Sequence, residues 1–255
     1  MRLLLVQPVL EAHPRADNLG AVRAAVRDAG VAPAPDDILL LPEHWTFDPD
    51  PARYRESVRT LARELGCHVV GGSQHEAEAG GAVNAGVACT PDGALVGRYE
   101  KLRPYATERE VVRAGRQLGE IEIAGRRVLV LVCADFWFAD LIQTATHLPD
   151  VVLVPALSVS RKPTPDYSRA LWRHLAVARA YEYGVYVGIS DWATTSKVHQ
   201  LAASGVGGFA DPTATDPAAL FQPTGERTVA VHPLDFDRLD AFRADRRERG
   251  FFWKP

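Results

Sequence analysis

The sequence predicts an α/β fold with mixed sheets and helices on their outer sides. Three features point there. Short, fully apolar runs such as Leu39-Leu40-Leu41 and residues 128–132 read as strands buried on both faces. Turn residues join some of these runs directly into hairpins. Others are separated by helical stretches, giving strand–helix–strand units.

Taken in order, residues 2–7 form a strand, and residues 17–29 a helix with Asp17 as N-cap and Gly30 as its stop. A loop over 31–36 carries two prolines, and the strand 37–41 ends at Pro42-Glu43. Residues 50–65 read as a helix with Pro51 in its first turn, followed by a strand over 68–73. The strands 83–90 and 94–100 flank Pro91-Asp92-Gly93, a hairpin turn, and 120–124 and 127–132 flank Gly125-Arg126 in a second hairpin. From Cys133 a helical stretch runs to about residue 147. A strand over 151–155, a helix over 166–183 and a strand over 185–190 follow. Strands near 205–211 and 228–232 precede a charged helix, 236–249, and an aromatic tail, Phe251-Phe252-Trp253. Residues 77–82 and the Pro/Thr-rich 211–224 read as exposed loops. No repeat or linker divides the chain, so one domain over residues 1–255 is expected, with about 251–255 as a tail.

Composition narrows the function. Hydrophobic residues make up 47% of 255, enough for a large core. A formal net charge of −3 gives no electrostatic reason to expect nucleic acid or an anionic membrane as partner. No apolar run reaches the roughly 18 residues of a membrane helix, and the first run is too short for a secretion signal. Three cysteines, at 67, 89 and 133, do not make a disulfide framework, so a reducing cytoplasm is expected. The eight histidines include no helical His-x-x-x-His pair and there is no Cys-x-x-Cys, so no metal site is expected. Gly205-Val206-Gly207-Gly208 lacks the spacing of a dinucleotide loop, and Gly71-Gly72-Ser73-Gln74-His75 lacks the last glycine of a serine elbow.

Three residues capable of chemistry lie at the ends of apolar strands, where α/β sheets gather functional groups. Cys133 ends the strand 127–132 and opens the helical stretch, a position that favours a thiolate and offers backbone N–H groups to an oxyanion. Glu43 follows Leu41-Pro42, where partial desolvation suits a carboxylate to proton transfer. Lys101 closes Arg98-Tyr99-Glu100 and could stabilise a developing oxyanion.

Leu41-Pro42-Glu43, Tyr99-Glu100-Lys101-Leu102 and Val132-Cys133-Ala134-Asp135 resemble, in that order, the three signatures of the nitrilase superfamily of carbon–nitrogen hydrolases. Flanking features agree: Asn84 before Pro91-Asp92-Gly93, Asp140 seven residues after Cys133, Val154-Pro155-Ala156, and the helix motif Ala178-Arg179-Ala180-Tyr181-Glu182. The resemblance spans roughly residues 1–250 and implies a four-layer α-β-β-α sandwich of two mixed sheets, assembled as a homodimer or higher homo-oligomer. It implies that Cys133 attacks a carbonyl or nitrile carbon, that Glu43 is the general base, and that Lys101 supports the tetrahedral intermediate. A second glutamate after the lysine falls on Glu108, with Glu110 as the alternative. No cofactor is implied, since nucleophile, base and cation are all side chains.

The chain departs from the family at Trp137, where an arginine is common, at Asp140 in place of glutamate, and at Ser190-Asp191, where asparagine is common. Ala134-Asp135 after the cysteine, instead of Trp-Glu, favours a small amide or carbamoyl substrate over a nitrile. Segments after the catalytic strands nominate Trp45, Tyr105, Phe136, Trp137 and Ser158 for substrate binding, with His44 and Phe47 beside them; Arg161 and Lys162 could meet a substrate carboxylate. The same triad could also hydrolyse nitriles or transfer its acyl group to an amine, and a catalytically silent binding protein is the non-enzyme alternative.

Overall fold

The computed structural model describes residues 1–48, 50–198 and 201–252. The first sheet runs in the order Val229–Pro233, Arg2–Val6, Ile38–Leu40, His68–Val70, Gly81–Cys89 and Gln74–Glu78, with Leu95–Glu100 and Val112–Arg113 also paired to Gly81–Cys89. The second runs Phe221–Pro223, Gly208–Ala210, Tyr186–Ser190, Val151–Pro155, Arg126–Val130 and Gly119–Ile123. Each mixes parallel and antiparallel pairs: Ile38–Leu40 lies parallel to both neighbours, whereas Val229–Pro233 lies antiparallel to Arg2–Val6.

Strand alternation sorts the apolar residues into layers. Leu3, Leu5, Ile38, Leu40 and Val70 face inward and meet Val128, Val130, Val151 and Leu153 of the second sheet. Their sequence neighbours Leu4, Val6, Leu39 and Leu41 face outward, onto Val22 and Val26 of helix Asn18–Asp28 and Tyr54, Val58 and Leu61 of helix Pro51–Leu65. On the far side Leu129, Val152 and Val154 pack against Trp172, Ala176 and Tyr183 of helix Asp166–Tyr183. The continuous apolar runs exist because both strand faces are covered, which makes the expected α-β-β-α sandwich.

The caps follow the sequence. The Asp17 carboxylate accepts from the Gly20 N–H, and that of Asp50 from the Ala52 N–H with Pro51 just inside the helix. Gly66 and Gly184 end their helices in the left-handed conformation.

Three expectations need correction. The exposed loop expected over 77–82 is a hairpin, in which Gln74–Glu78 pairs antiparallel with Gly81–Cys89 around Gly80 and Gly81, both at positive φ. The stretch 211–224 holds the short helical turn Pro217–Ala219 and the edge strand Phe221–Pro223, and buries Thr213 and Thr224. The helix expected from Cys133 to about 147 is a single tight turn, Cys133–Trp137, then a short helix, Asp140–Thr144, with Phe138 extended between them. Of the aromatic tail, Phe251 is exposed, Arg247 lies over the Phe252 ring, and Trp253 falls outside the described residues.

Candidate active site

Glu43 sits two residues beyond Leu41, where the first sheet meets the second. Its N–H donates to the Ala156 carbonyl at 3.2 Å, and its carbonyl accepts from the Trp192 indole at 2.8 Å. Both partners follow strands of the second sheet, so the backbone of Glu43 is clamped across the sandwich. Lys101 follows Leu95–Glu100 directly, its N–H bonded to the Asn84 carbonyl at 2.8 Å. Cys133 has a φ of +49°, a left-handed conformation that disfavours a residue with a Cβ by roughly 1–2 kcal/mol.

That strained turn is held by Asp135. Its carboxylate accepts from the N–H groups of Val132, Leu102 and Arg103 at 3.2, 3.1 and 2.7 Å. One buried side chain therefore ties the cysteine turn to the segment after Lys101, and it explains why no long helix starts at Cys133. Burial pushes the Asp135 carboxyl up to about 7, against the lowering effect of these three hydrogen bonds.

The charged groups form a compact set. Lys101 Nζ lies 2.7 Å from Glu43 Oε1 and 2.6 Å from Glu108 Oε2. Asn84 Nδ2 donates to Glu43 Oε1 and Glu108 Oε1, both at 2.8 Å. Glu108 Oε2 also accepts from the Tyr105 N–H at 3.0 Å. Burial works against the Lys101 ammonium, but the neighbouring carboxylates more than offset it and hold its pKa above the ordinary range. Burial likewise works against the Glu108 carboxylate, and hydrogen bonds from His75 and Lys101 hold it well below the ordinary range.

Cys133 shows the opposite balance. Burial, then the nearby Glu43 charge, push its thiol well up, and Lys101 only partly opposes them. The thiolate expected from a helix terminus is thus replaced by a protonated thiol, which donates to the Leu157 carbonyl at 3.8 Å. Ala134, second in the tight turn, presents an N–H with no carbonyl partner inside that turn. A thiol, an adjacent carboxylate, a fixed ammonium and a backbone N–H are the groups that acyl transfer through sulfur requires.

These residues open onto a cavity of about 830 Å³ with Glu43, Lys101, Glu108 and Cys133 in its wall and the exposed Tyr105, Arg161 and Lys162 on its outer part. A smaller, more apolar recess of about 170 Å³ shares Cys133 and is lined by Trp137, Ser158 and Trp172. Tyr105, Trp137 and Ser158 thus lie where the sequence nominated them. Trp45 and Phe136 do not: Trp45 is fully buried with its indole donating to the Gly71 carbonyl at 2.6 Å, and Phe136 stacks on Trp172 in the outer core. Each sits beside a site residue but turns to the opposite face. Asp140 pairs with Arg103, and Glu110 lies on the cavity wall. Sequence reasoning named Asn84 only as a flanking match and Asp191 only as a departure from the family, and gave His75 no role. Asp191 accepts from the N–H groups of Ser158, Trp192 and Val206 at 3.0, 2.8 and 2.9 Å. His44, also at positive φ, is pushed down to about 4 by burial and is neutral near pH 7.

The family model for carbon–nitrogen hydrolases matches residues 11–244. The chain belongs to the carbon–nitrogen hydrolase family. It is 25% identical to an omega-amidase of Mus musculus, with 95% of this chain and 91% of that protein covered. It is 26% identical to the 2-oxoglutaramate amidase of Bacillus subtilis over 59% of this chain and 61% of that one. The fold matches that of a mutant amidase from Nesterenkonia sp. AN1 carrying acrylamide on its active-site cysteine, at 22% identity and a TM-score of 0.72, covering 98% of this chain and 99% of that one. It also matches Nit3 of Saccharomyces cerevisiae at 20% identity and a TM-score of 0.77, covering 96% and 93%. No helix among the described residues is long and apolar enough to cross a membrane.

Proposed function

We propose that the protein hydrolyses the terminal amide of a small molecule whose far end carries a carboxylate. The observation that carries the catalytic part is the buried Lys101 ammonium, fixed between Glu43 and Glu108, beside the protonated Cys133. Glu43 takes the thiol proton as Sγ bonds to the amide carbon. The oxygen that becomes negative faces Lys101 and the Ala134 N–H. The carbon–nitrogen bond then breaks, Glu43 passes its proton to the departing nitrogen, and ammonia leaves a thioester on Cys133. Glu43 next takes a proton from water, whose oxygen attacks the thioester, and the acid departs as the proton returns to sulfur. Glu108 and Asn84 act by holding Lys101 and Glu43 in place.

The anionic end of the substrate is supported by Arg161 and Lys162, which bring two cations to the cavity and pair with no carboxylate among the described residues. It agrees with the names of the omega-amidase and 2-oxoglutaramate amidase relatives. Ammonia release from the monoamides of dicarboxylic acids, compared with neutral amides of equal length, tests the reading. A preference for the anionic amides of about tenfold or more in kcat/KM is expected, from one charge-assisted hydrogen bond of ~1.5 kcal/mol. Exchange of Arg161 and Lys162 for alanine should erase that preference. No turnover of any amide would favour the silent binding protein, and equal turnover of both sets would remove the carboxylate. Operation in the cytoplasm is supported by the three unpaired cysteines. A homo-oligomer is supported by the exposed Tyr181, packed against Phe242 with Arg246 over its ring, and light scattering in solution tests it.

A further inference from the structure

Three side chains at the edge of the cavity are not used by the reaction as metal ligands, yet they converge. His44, His75 and Glu108 come from separate segments, and one ligand atom from each lies within 4.8 Å of the others. His75 Nε2 and Glu108 Oε1 are 3.4 Å apart, close to the ~3.3 Å edge of a tetrahedron with metal bonds of about 2.0–2.1 Å. The His44 ring stands edge-on to His75 with centroids 4.6 Å apart, and closing its ligand-atom spacing from at most 4.8 Å to ~3.3 Å would bring its nitrogen into the same shell. Charge favours a cation here. The inner carboxylates of Glu43 and Glu108 face one ammonium, Lys101, which leaves one net negative charge among these buried groups, with Arg161 and Lys162 on the exposed outer part of the cavity. Lys101 bonds to Glu108 Oε2, leaving Oε1 on the histidine side. The His75 side chain is 39% exposed, which gives an ion a route in and room for water to complete its shell.

We infer that His44, His75 and Glu108 form an inhibitory site for a divalent ion of the zinc class, closed by water from the cavity. Such an ion would sit beside Glu43, whose Oε1 is 4.0 Å from His44 Nε2, in the wall of the cavity that holds Cys133, where it would obstruct the approach of substrate and of the attacking water. It would also draw Glu108 Oε1 away from Asn84, loosening the support of Lys101. The site differs from direct capture of zinc by the nucleophile, because no sulfur is required.

Calorimetric titration of zinc into the Cys133→Ala protein separates the two. One equivalent is expected to bind and to raise the melting temperature, and both effects should vanish in Cys133→Ala/His75→Ala. In the wild type, the zinc concentration for half-inhibition should rise at least tenfold on His75→Ala, each variant being compared with its own metal-free rate. His75→Gln replaces His75→Ala if the alanine form does not melt cooperatively. Absence of binding to Cys133→Ala, or binding undiminished by loss of His75, would overturn the site. Unchanged zinc sensitivity of His75→Ala would overturn its inhibitory role.

Discussion

Replacing Lys101 by methionine removes the cation shared by Glu43 and Glu108 while keeping most of the side-chain volume. The Lys101 and Glu43 side chains are each 3% exposed and Glu108 is 12% exposed, so solvent screens them little. Removing one partner of such a buried pair costs about 3–5 kcal/mol. An unfolding entropy of about 2.1 cal/mol/K per residue gives roughly 0.5 kcal/mol/K for a chain of 255 residues, so the melting temperature should fall by ~6–10 °C. The pH dependence carries a second test. In the wild type the Glu108 pKa lies below its ordinary 4.5, so its contribution is present above pH 4.5 and lost as pH falls further. In the variant Glu108 is buried beside Glu43 without a cation, its pKa moves above the unfolded value, and the deficit is largest near pH 7 and shrinks toward pH 5. Adding Glu43→Gln and Glu108→Gln should restore much of the loss. Thermal melts at pH 5, 6, 7 and 8 measure all of this. A shift under 2 °C, or a deficit that neither pH nor the added substitutions change, would refute the reasoning.

Other outcomes follow from the same geometry. Glu43→Gln removes a charge that raises the Cys133 pKa, so iodoacetamide should alkylate the thiol faster at pH 7.5 even as amidase turnover falls by about 10²–10⁴-fold. An unchanged rate would show that burial alone sets the thiol, and slower alkylation would show that Glu43 draws the proton from the resting thiol instead of holding it there. Burial raises Asp191 to about 7 from 3.8, so its contribution is fully present below pH 3.8 and is lost as pH rises toward 7. The melting temperature of the wild type relative to Asp191→Asn should therefore decline over that window and level above it; a flat difference would contradict this. Gly72 has a φ of +64°, and a Cβ there would meet the Pro42 carbonyl at 2.1 Å, so Gly72→Ala should displace Pro42-Glu43 and lower kcat more than it raises KM. Unchanged kcat would mean that this close approach does not govern the base.

Much of this was legible in the sequence because the strands are buried on both faces, so runs such as Leu39-Leu40-Leu41 needed no tertiary knowledge to read. Glu43, Lys101 and Cys133 were legible as residues ending those runs. The side chains that hold those three in place were not. His75 and Asn84 stand directly opposite each other in the hairpin of Gln74–Glu78 and Gly81–Cys89. Reading 77–82 as a loop hid that pair, although Gly80-Gly81 is itself a hairpin signal. The short turn at Cys133 depends on Asp135 reaching Leu102 and Arg103, a contact without local trace in the sequence. Trp45 and Phe136 were misplaced for a simpler reason. Adjacent residues in extended or tightly turned chain point to opposite sides, so His44 faces the cavity while Trp45 enters the core. Likewise, a pattern search along helices could not find His44, His75 and Glu108, which meet only through strand ends and a turn.

The most direct test of the central claim is rapid-quench mass spectrometry of the protein mixed with the monoamide of a dicarboxylic acid, followed by peptide mapping. An acyl mass on the peptide that contains Cys133, forming and decaying at rates that account for ammonia release and missing from Cys133→Ala, is the predicted result. Ammonia release undiminished in Cys133→Ala, or an acyl group on any other residue, would contradict it.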